Sequence, residues 1–159
     1  MHSKKKFVRW FNELGMEDVP LVGGKNASLG EIYQQLTPKG ILIPDGFAIT
    51  ADAYRYMLHE AGAWGVLHAV LDDLNPKDIE DLARRGAKAR EIVYAAGLPQ
   101  DLQADILSAY ARLIEEYGEE LTLAVRSSAT AEDLPTASFA GQHETYLNIS
   151  GDASLLDAC

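Results

Sequence analysis

Two short segments of the chain carry the residue types that bind phosphate groups. The first, residues 22–31, reads VGGKNASLGE and places a glycine pair directly before Lys25. The second, residues 125–146, contains Arg126, two serines after it, and further glycine and hydroxyl residues. Paired glycines let a backbone approach a ligand closely, and lysine or arginine supplies positive charge for phosphate. Two such segments can hold a nucleoside triphosphate from two sides, which favours kinase-type chemistry with ATP.

The glycine–glycine–lysine segment has two interpretations when taken alone. A helix is predicted over residues 28–36, and the free N–H groups at its start would favour an anion beside Lys25. The other interpretation is a flexible turn with a solvated lysine. The spacing is not that of a P-loop, because G-x-x-x-x-G-K-S/T is absent.

Arg126 directly follows residues 121–125, an apolar run that predicts a buried strand. A guanidinium at the end of a sheet suits bidentate phosphate recognition. The alternative is a structural salt bridge with Glu132 or Asp133. Residues 134–146 form a loop that either closes over phosphates as a lid or is a plain hairpin.

Composition narrows the class of protein. The chain has 159 residues and a formal net charge of −10, which argues against nucleic acid and anionic membranes as partners. The single cysteine, Cys159, permits no internal disulfide, and the first residues form no signal peptide. A cytoplasmic protein is therefore expected. We expect a flexible basic tail over residues 1–6, followed by one globular portion over residues 7–159.

The periodicity of apolar residues predicts an α+β fold. Strands are expected near residues 7–11, 121–125 and 145–149, and two short extended pieces around a Pro-Asp-Gly turn over residues 41–49. Helices are expected over about 28–36, 50–60, 64–71, 75–96 and 99–117. Thr50 is predicted to cap the second helix and Asn75-Pro76 to open the fourth. One face of that fourth helix, which includes Ile79 and Leu82, and one face of the next, which ends at Tyr117, are predicted to be buried.

These motifs together resemble the N-terminal part of the phosphoenolpyruvate synthase family, the pyruvate, water dikinases. The resemblance rests on residues 18–31 (DVPLVGGKNASLGE), 44–47 (PDGF) and 126–149, and it extends from about Phe7 over nearly the whole chain. It implies a partial ATP-grasp-like nucleotide-binding domain of the pyruvate phosphate dikinase type, with helices packed on a small mixed sheet.

The resemblance also implies which residues touch ATP. Lys25 and Arg126 match the family's phosphate-contacting lysine and arginine and are the expected catalytic residues. Gly141, Thr145 and Tyr146 match its Gly-Gln-x-x-Thr-Tyr motif, which also lies at the nucleotide. Magnesium accompanies ATP in the family, but its ligands are expected outside this chain, so no metal-binding residue is assigned here.

The implied reaction converts ATP, pyruvate and water to AMP, phosphoenolpyruvate and phosphate through a phosphohistidine on a separate domain. His143 does not sit in the family's Thr-His-Ala carrier motif and takes no such role. Pyruvate would bind another domain of a homo-oligomeric full-length enzyme. Because the chain ends within a predicted helix, we expect a truncated piece that is inactive alone. Two alternatives stay open: a rifampicin-type antibiotic phosphotransferase with the same ATP site, and a non-catalytic nucleotide-binding module.

Overall fold

The computed structural model describes residues 6–130 and 144–159, and the expected nucleotide contact at Gly141 lies outside these ranges. The helices of the described ranges are α1 (Val19–Leu36), α2 (Ala51–Glu60), α3 (Ala63–Leu71), α4 (Ile79–Ala96), α5 (Gln100–Tyr117) and α6 (Asp152–Ala158). The strands are β1 (Val8–Trp10), β2 (Phe47–Ile49), β3 (Leu123–Arg126) and β4 (Thr145–Ile149). The predicted α+β class is confirmed.

The four described strands form two separate antiparallel pairs, where one mixed sheet was expected. β1 pairs with β2, and β3 pairs with β4. Of the two extended pieces predicted within residues 41–49, the second contains the strand Phe47–Ile49, whereas the first forms no strand and its Leu42 is 96% exposed. The chain divides into two compact units, the first made of Met1–Ala53 with Asp101–Cys159 and the second of Tyr54–Gln100.

Helix α1 begins earlier than the sequence predicted. Its first residue is Val19, not Ser28, and Pro20 occupies the first turn, where a missing N–H costs nothing. Gly23 then interrupts the helix with φ 79° and ψ 162°, and helical geometry resumes after it. The glycine pair is therefore a kink inside a helical segment and not a turn that precedes a helix.

The first unit has a core of buried apolar side chains at the junction of α1 with β1 and β2. This cluster contains Leu14, Val22, Ala27 and Ala48. Gly30 lets α1 approach Leu14 closely, because a Cβ at position 30 would lie 2.6 Å from the Leu14 Cβ and 2.9 Å from its carbonyl carbon. The Gln34 side-chain amide also donates to the Leu14 carbonyl at 2.5 Å. These contacts fix α1, which carries the glycine–glycine–lysine segment.

Helix α5 buries most of the face that its periodicity predicted. Leu102, Ile106, Ala109 and Leu113 are all buried. Tyr110 is buried as well, and its hydroxyl accepts a hydrogen bond from the Gly151 N–H at 2.9 Å. The prediction that Tyr117 is buried is wrong. This side chain is 45% exposed at the last residue of α5, and its hydroxyl accepts the Asp45 N–H at 2.9 Å.

In the second unit, α3 and α4 enclose a core with the later residues of α2. Its buried members are Met57, Leu58, Ala63 and Leu67. Helix α4 starts at Ile79 and not at Asn75-Pro76, because the Asp78 carboxylate caps it by accepting the Asp81 N–H at 3.0 Å. Ile79 is consequently 77% exposed in the first turn and Leu82 is 40% exposed, so the prediction that both are buried is wrong.

Two further sequence expectations concern Thr50, which is buried, and Lys6, which is exposed. Thr50 is the predicted cap of α2, and its hydroxyl accepts the Ala53 N–H at 3.3 Å. Lys6, counted with the basic tail, contacts the Glu13 carboxylate. Across residues 6–130 and 144–159, no helix combines the length and the apolar character needed to cross a membrane.

Candidate functional site

The kink in α1 is held by two side chains that converge on one backbone oxygen. The carbonyl of Val22, directly before the kink, accepts a hydrogen bond from the Asn26 side-chain amide at 2.9 Å. The same oxygen accepts a second hydrogen bond, at 2.8 Å, from the hydroxyl of Ser128. Ser128 lies 106 residues further along the chain, in the segment that follows Arg126. The two phosphate-binding candidates of the sequence are therefore in direct contact.

Gly23 makes this contact possible because it has no side chain. A Cβ at this position would lie 2.8 Å from the Ala129 carbonyl oxygen and closer still to the Ser128 hydroxyl. The dihedral angles of Gly23 also fall in a region that only glycine populates readily. Both the conformation and the close approach thus require glycine at position 23.

Lys25 lies in the first turn of the helical segment that resumes after Gly23. The positive end of the helix dipole lies at such a turn. Lys25 itself is partly buried. A lysine beside the start of a helical segment is a suitable environment for phosphate oxygens.

Arg126 occupies the last position of β3, opposite Thr145 at the first position of β4. Directly opposed residues of an antiparallel pair project from the same face of the sheet. Arg126 and Thr145 are both exposed, so a guanidinium and a hydroxyl share one solvent-facing side. Within the described ranges Arg126 forms no ion pair, and its alternative partners Glu132 and Asp133 lie outside those ranges.

Tyr146 lies on the other face of the β3–β4 pair. It stands opposite Val125 and next to Thr145, and successive residues of a strand point to opposite faces. Its hydroxyl donates to the Glu144 carboxylate at 2.5 Å. The structure therefore groups Arg126 with Thr145 and separates Tyr146 from them.

An irregularity in β4 determines which side chains face inward. Leu123 pairs with Ile149 and Val125 with Tyr146, so β4 contains one more residue than β3 between these pairs. Asn148 has a φ of 57°, which is typical of the extra residue in a bulge. The bulge returns Ile149 to the face shared by Leu123 and Val125. Arg126 and Thr145 lie beyond the bulge, in the regular part of the pair, and share the opposite, exposed face.

The described residues fit a phosphate ligand better than a metal ion. Lys25 offers a point charge and Arg126 a planar fork, and both lie on segments that the Ser128–Val22 contact connects. Across residues 6–130 and 144–159, no three His, Cys, Asp or Glu side chains are grouped so that they could hold a metal ion. His59 and His68 are exposed, and His68 Nδ1 lies 2.8 Å from the Asp72 carboxylate.

Sequence reasoning included Gly23 and Ser128 in the two motifs but gave neither a role of its own. No local signal pairs them, since they belong to different elements far apart in the chain. The only hint is chemical. A small hydroxyl residue after Arg126 and a glycine before Lys25 are the residue types that a close contact between backbones requires.

Comparison with known proteins identifies the family. Residues 19–159 match the family described as pyruvate phosphate dikinase, AMP/ATP-binding domain. Phosphoenolpyruvate synthase of Synechocystis sp. is 49% identical over an alignment that covers 99% of this chain and 20% of the relative. The enzyme of Helicobacter pylori is 47% identical, with 95% and 19% covered. That of Escherichia coli is 46% identical, with 99% and 20% covered.

This chain therefore spans about one fifth of the length of the curated relatives that it matches. The family match includes both segments that meet at Ser128 and all four described candidate residues, Lys25, Arg126, Thr145 and Tyr146. It begins at the first residue of α1 and extends to the end of the chain. The chain belongs to the pyruvate phosphate dikinase AMP/ATP-binding domain family.

Proposed function

We propose that this chain forms the ATP-phosphate-binding part of a phosphoenolpyruvate synthase. The observation that carries the proposal is the 2.8 Å hydrogen bond from the Ser128 hydroxyl to the Val22 carbonyl. This bond unites the glycine–glycine–lysine segment with the segment that follows Arg126. The names of the relatives, which match over nearly the whole chain, support the choice of this enzyme.

Each candidate residue has a distinct part in holding the triphosphate. The Lys25 ammonium and the N–H groups at the start of the resumed helix bind phosphate oxygens from one side. The Arg126 guanidinium binds them from the other side through paired hydrogen bonds. The Thr145 hydroxyl, on the same face as Arg126, supplies a further donor. We propose Tyr146 and Gly141 as contacts to the nucleotide on the basis of the family motif.

The net charge of −10 makes these local donors important. ATP is itself an anion, so the chain as a whole does not attract it. Binding must come from a few cations and backbone N–H groups placed close to the phosphates, where the effective dielectric constant is lower than in water. In phosphoryl transfer, most of the catalytic effect comes from positioning and from neutralising charge in the transition state.

The complete protein that contains this chain would convert ATP, pyruvate and water to AMP, phosphoenolpyruvate and phosphate. We propose that a histidine on another domain carries the phosphoryl group, that pyruvate binds a further domain, and that the complete enzyme is a homo-oligomer. Magnesium would neutralise phosphate charge when bound. The described residues offer no metal site, so its ligands would come from elsewhere. An ATP-grasp-like fold, in which two segments grip the nucleotide, is part of the same proposal.

Phosphorus NMR of the complete protein with ATP, Mg²⁺ and pyruvate tests this function. We expect signals of AMP, phosphate and phosphoenolpyruvate, and their loss in Arg126→Ala. Arg90→Ala is the matched control, because it removes an exposed arginine of the second unit and should keep wild-type turnover. Phosphorylation of rifampicin without use of pyruvate would instead identify an antibiotic phosphotransferase. Binding of ATP without turnover would identify a non-catalytic module.

A further inference from the structure

Ser128 joins two segments that each carry one phosphate-binding cation. It is partly buried, lies two residues after Arg126, and donates its hydroxyl to the Val22 carbonyl three residues before Lys25. Val22 is buried, with 2% of its surface exposed, so its carbonyl is fixed in the core of the first unit. The hydroxyl of Ser128 is therefore anchored to a rigid part of the molecule.

The space around this hydrogen bond leaves little freedom for the two segments. A Cβ on Gly23 would lie 2.8 Å from the Ala129 carbonyl oxygen and 3.0 Å from its carbonyl carbon. The backbone of residues 128–129 thus lies directly against the kink of α1. A shift of either segment changes the position of the other.

We infer that Ser128 is a positioning residue that fixes Lys25 relative to Arg126, so that both cations can bind one triphosphate together. The inference rests on the proposed function. Ser128 does not itself need to touch ATP. Without its hydroxyl, the Val22 carbonyl keeps the Asn26 hydrogen bond, so the backbone is not left without a partner. The expected loss is in the alignment of the two cations, and the fold should persist.

A hydrogen bond that only stabilised the fold would behave differently. Its removal would lower the unfolding temperature and leave the ATP affinity of the folded molecules unchanged. It would also act independently of Lys25. A double-mutant cycle separates the two cases, because residues that act through one another give non-additive effects.

The test measures the dissociation constant of ATP by calorimetry for the complete protein in four forms: wild type, Ser128→Ala, Lys25→Ala and the double variant. We expect Ser128→Ala to weaken binding about tenfold in the wild-type background, on the scale of a lost orienting hydrogen bond. In the Lys25→Ala background, Ser128→Ala should raise the dissociation constant of ATP by less than about twofold. Wild-type affinity in Ser128→Ala, or an equal tenfold loss in both backgrounds, would overturn the inference.

Two further variants keep the outcome unambiguous. Ser108→Ala, an exposed serine of α5, should bind ATP like the wild type. Ser128→Thr keeps the hydroxyl and should stay within about twofold of the wild type. If Ser128→Ala does not fold, a tenfold loss in folded Ser128→Thr overturns the inference. If the wild type binds no ATP, or if Lys25→Ala and Arg126→Ala both bind it normally, the proposed function fails together with this inference.

Discussion

Replacement of Gly23 by alanine should destabilise the first unit by about 3 kcal/mol. The native φ of 79° and ψ of 162° cost a residue with a side chain about 1–3 kcal/mol. The new Cβ would also lie 2.8 Å from the Ala129 carbonyl oxygen, and relief of such overpacking costs about 1–3 kcal/mol more. Partial relaxation of residues 128–129 should keep the total nearer the lower end of the combined range of about 2–6 kcal/mol.

The same substitution should weaken ATP binding. The atoms of Ala129 that the new methyl group meets belong to the backbone, so they cannot rotate away as the end of a flexible side chain would. Either the segment before Lys25 or the segment after Arg126 must move. We expect about a tenfold loss of ATP affinity in the complete protein, because a small misplacement of binding groups is costly.

Urea unfolding of the chain, followed by tryptophan fluorescence, measures the change in stability. Trp10 lies in the first unit, where it is 9% exposed with the Arg112 guanidinium 4.1 Å from its ring centroid. A Trp64→Phe background removes the other tryptophan of the chain, so that the signal reports on the first unit alone.

Gly65→Ala is the matched control for Gly23→Ala. Gly65 lies inside α3, and a Cβ there would meet nothing within 4 Å. Alanine should therefore stabilise that helix by up to about 1 kcal/mol and leave ATP binding unchanged. A loss below about 1 kcal/mol in Gly23→Ala, together with wild-type ATP affinity, would refute the close contact between the two segments.

Four other predictions concern the remaining residues of the first unit and the chain as a whole. Arg126→Ala should abolish turnover of the complete protein in the NMR assay. Its unfolding free energy, measured by urea titration, should change by less than about 1 kcal/mol. Near-normal turnover would contradict the assignment of Arg126 as a phosphate-binding residue. Gly30→Ala should destabilise the first unit by about 1–3 kcal/mol, because its Cβ would lie 2.9 Å from the Leu14 carbonyl carbon and closer still to the carbonyl oxygen. An unchanged urea midpoint would count against this packing. Asn148→Val should lower the unfolding free energy by about 1–3 kcal/mol, because a β-branched residue is strained at a φ of 57°. Asn148→Gly should stay within about 0.5 kcal/mol of the wild type, since glycine adopts this φ without strain. Equal effects of the two substitutions would argue against the bulge. The 159-residue chain alone should form no AMP from ATP and pyruvate, and detectable AMP would show that the chain suffices for catalysis.

The helices show which signals can be read locally. Thr50 was predicted as a cap from its position before an apolar periodic run, and the structure confirms the hydrogen bond to Ala53. The buried face of α5 followed from its spacing alone. Such features depend on residues within one or two turns of each other, and a sequence displays them directly.

The helix starts that were predicted wrongly, those of α4 and α1, show where local sequence signals are not sufficient. Asn75-Pro76 looks like a helix start, but Asp78 forms the actual cap and α4 begins after it. The glycine pair suggested a break before α1, yet helical residues lie on both sides of the kink at Gly23, where Asn26 and Ser128 bind the Val22 carbonyl. The contact with Ser128 comes from a residue 106 positions away, so the local sequence does not display it.

The candidate site also has features that the sequence shows and features that depend on tertiary structure. The sequence by itself determined the family, and it predicted the candidate phosphate-binding residues: a lysine after paired glycines and an arginine after an apolar strand. Only the tertiary structure decided that Ser128 reaches the Val22 carbonyl and that Arg126 shares a face with Thr145 and not with Tyr146. The physical reason is that both features depend on how separate elements pack together. One is a hydrogen bond between residues 106 positions apart, and the other is the register of two paired strands.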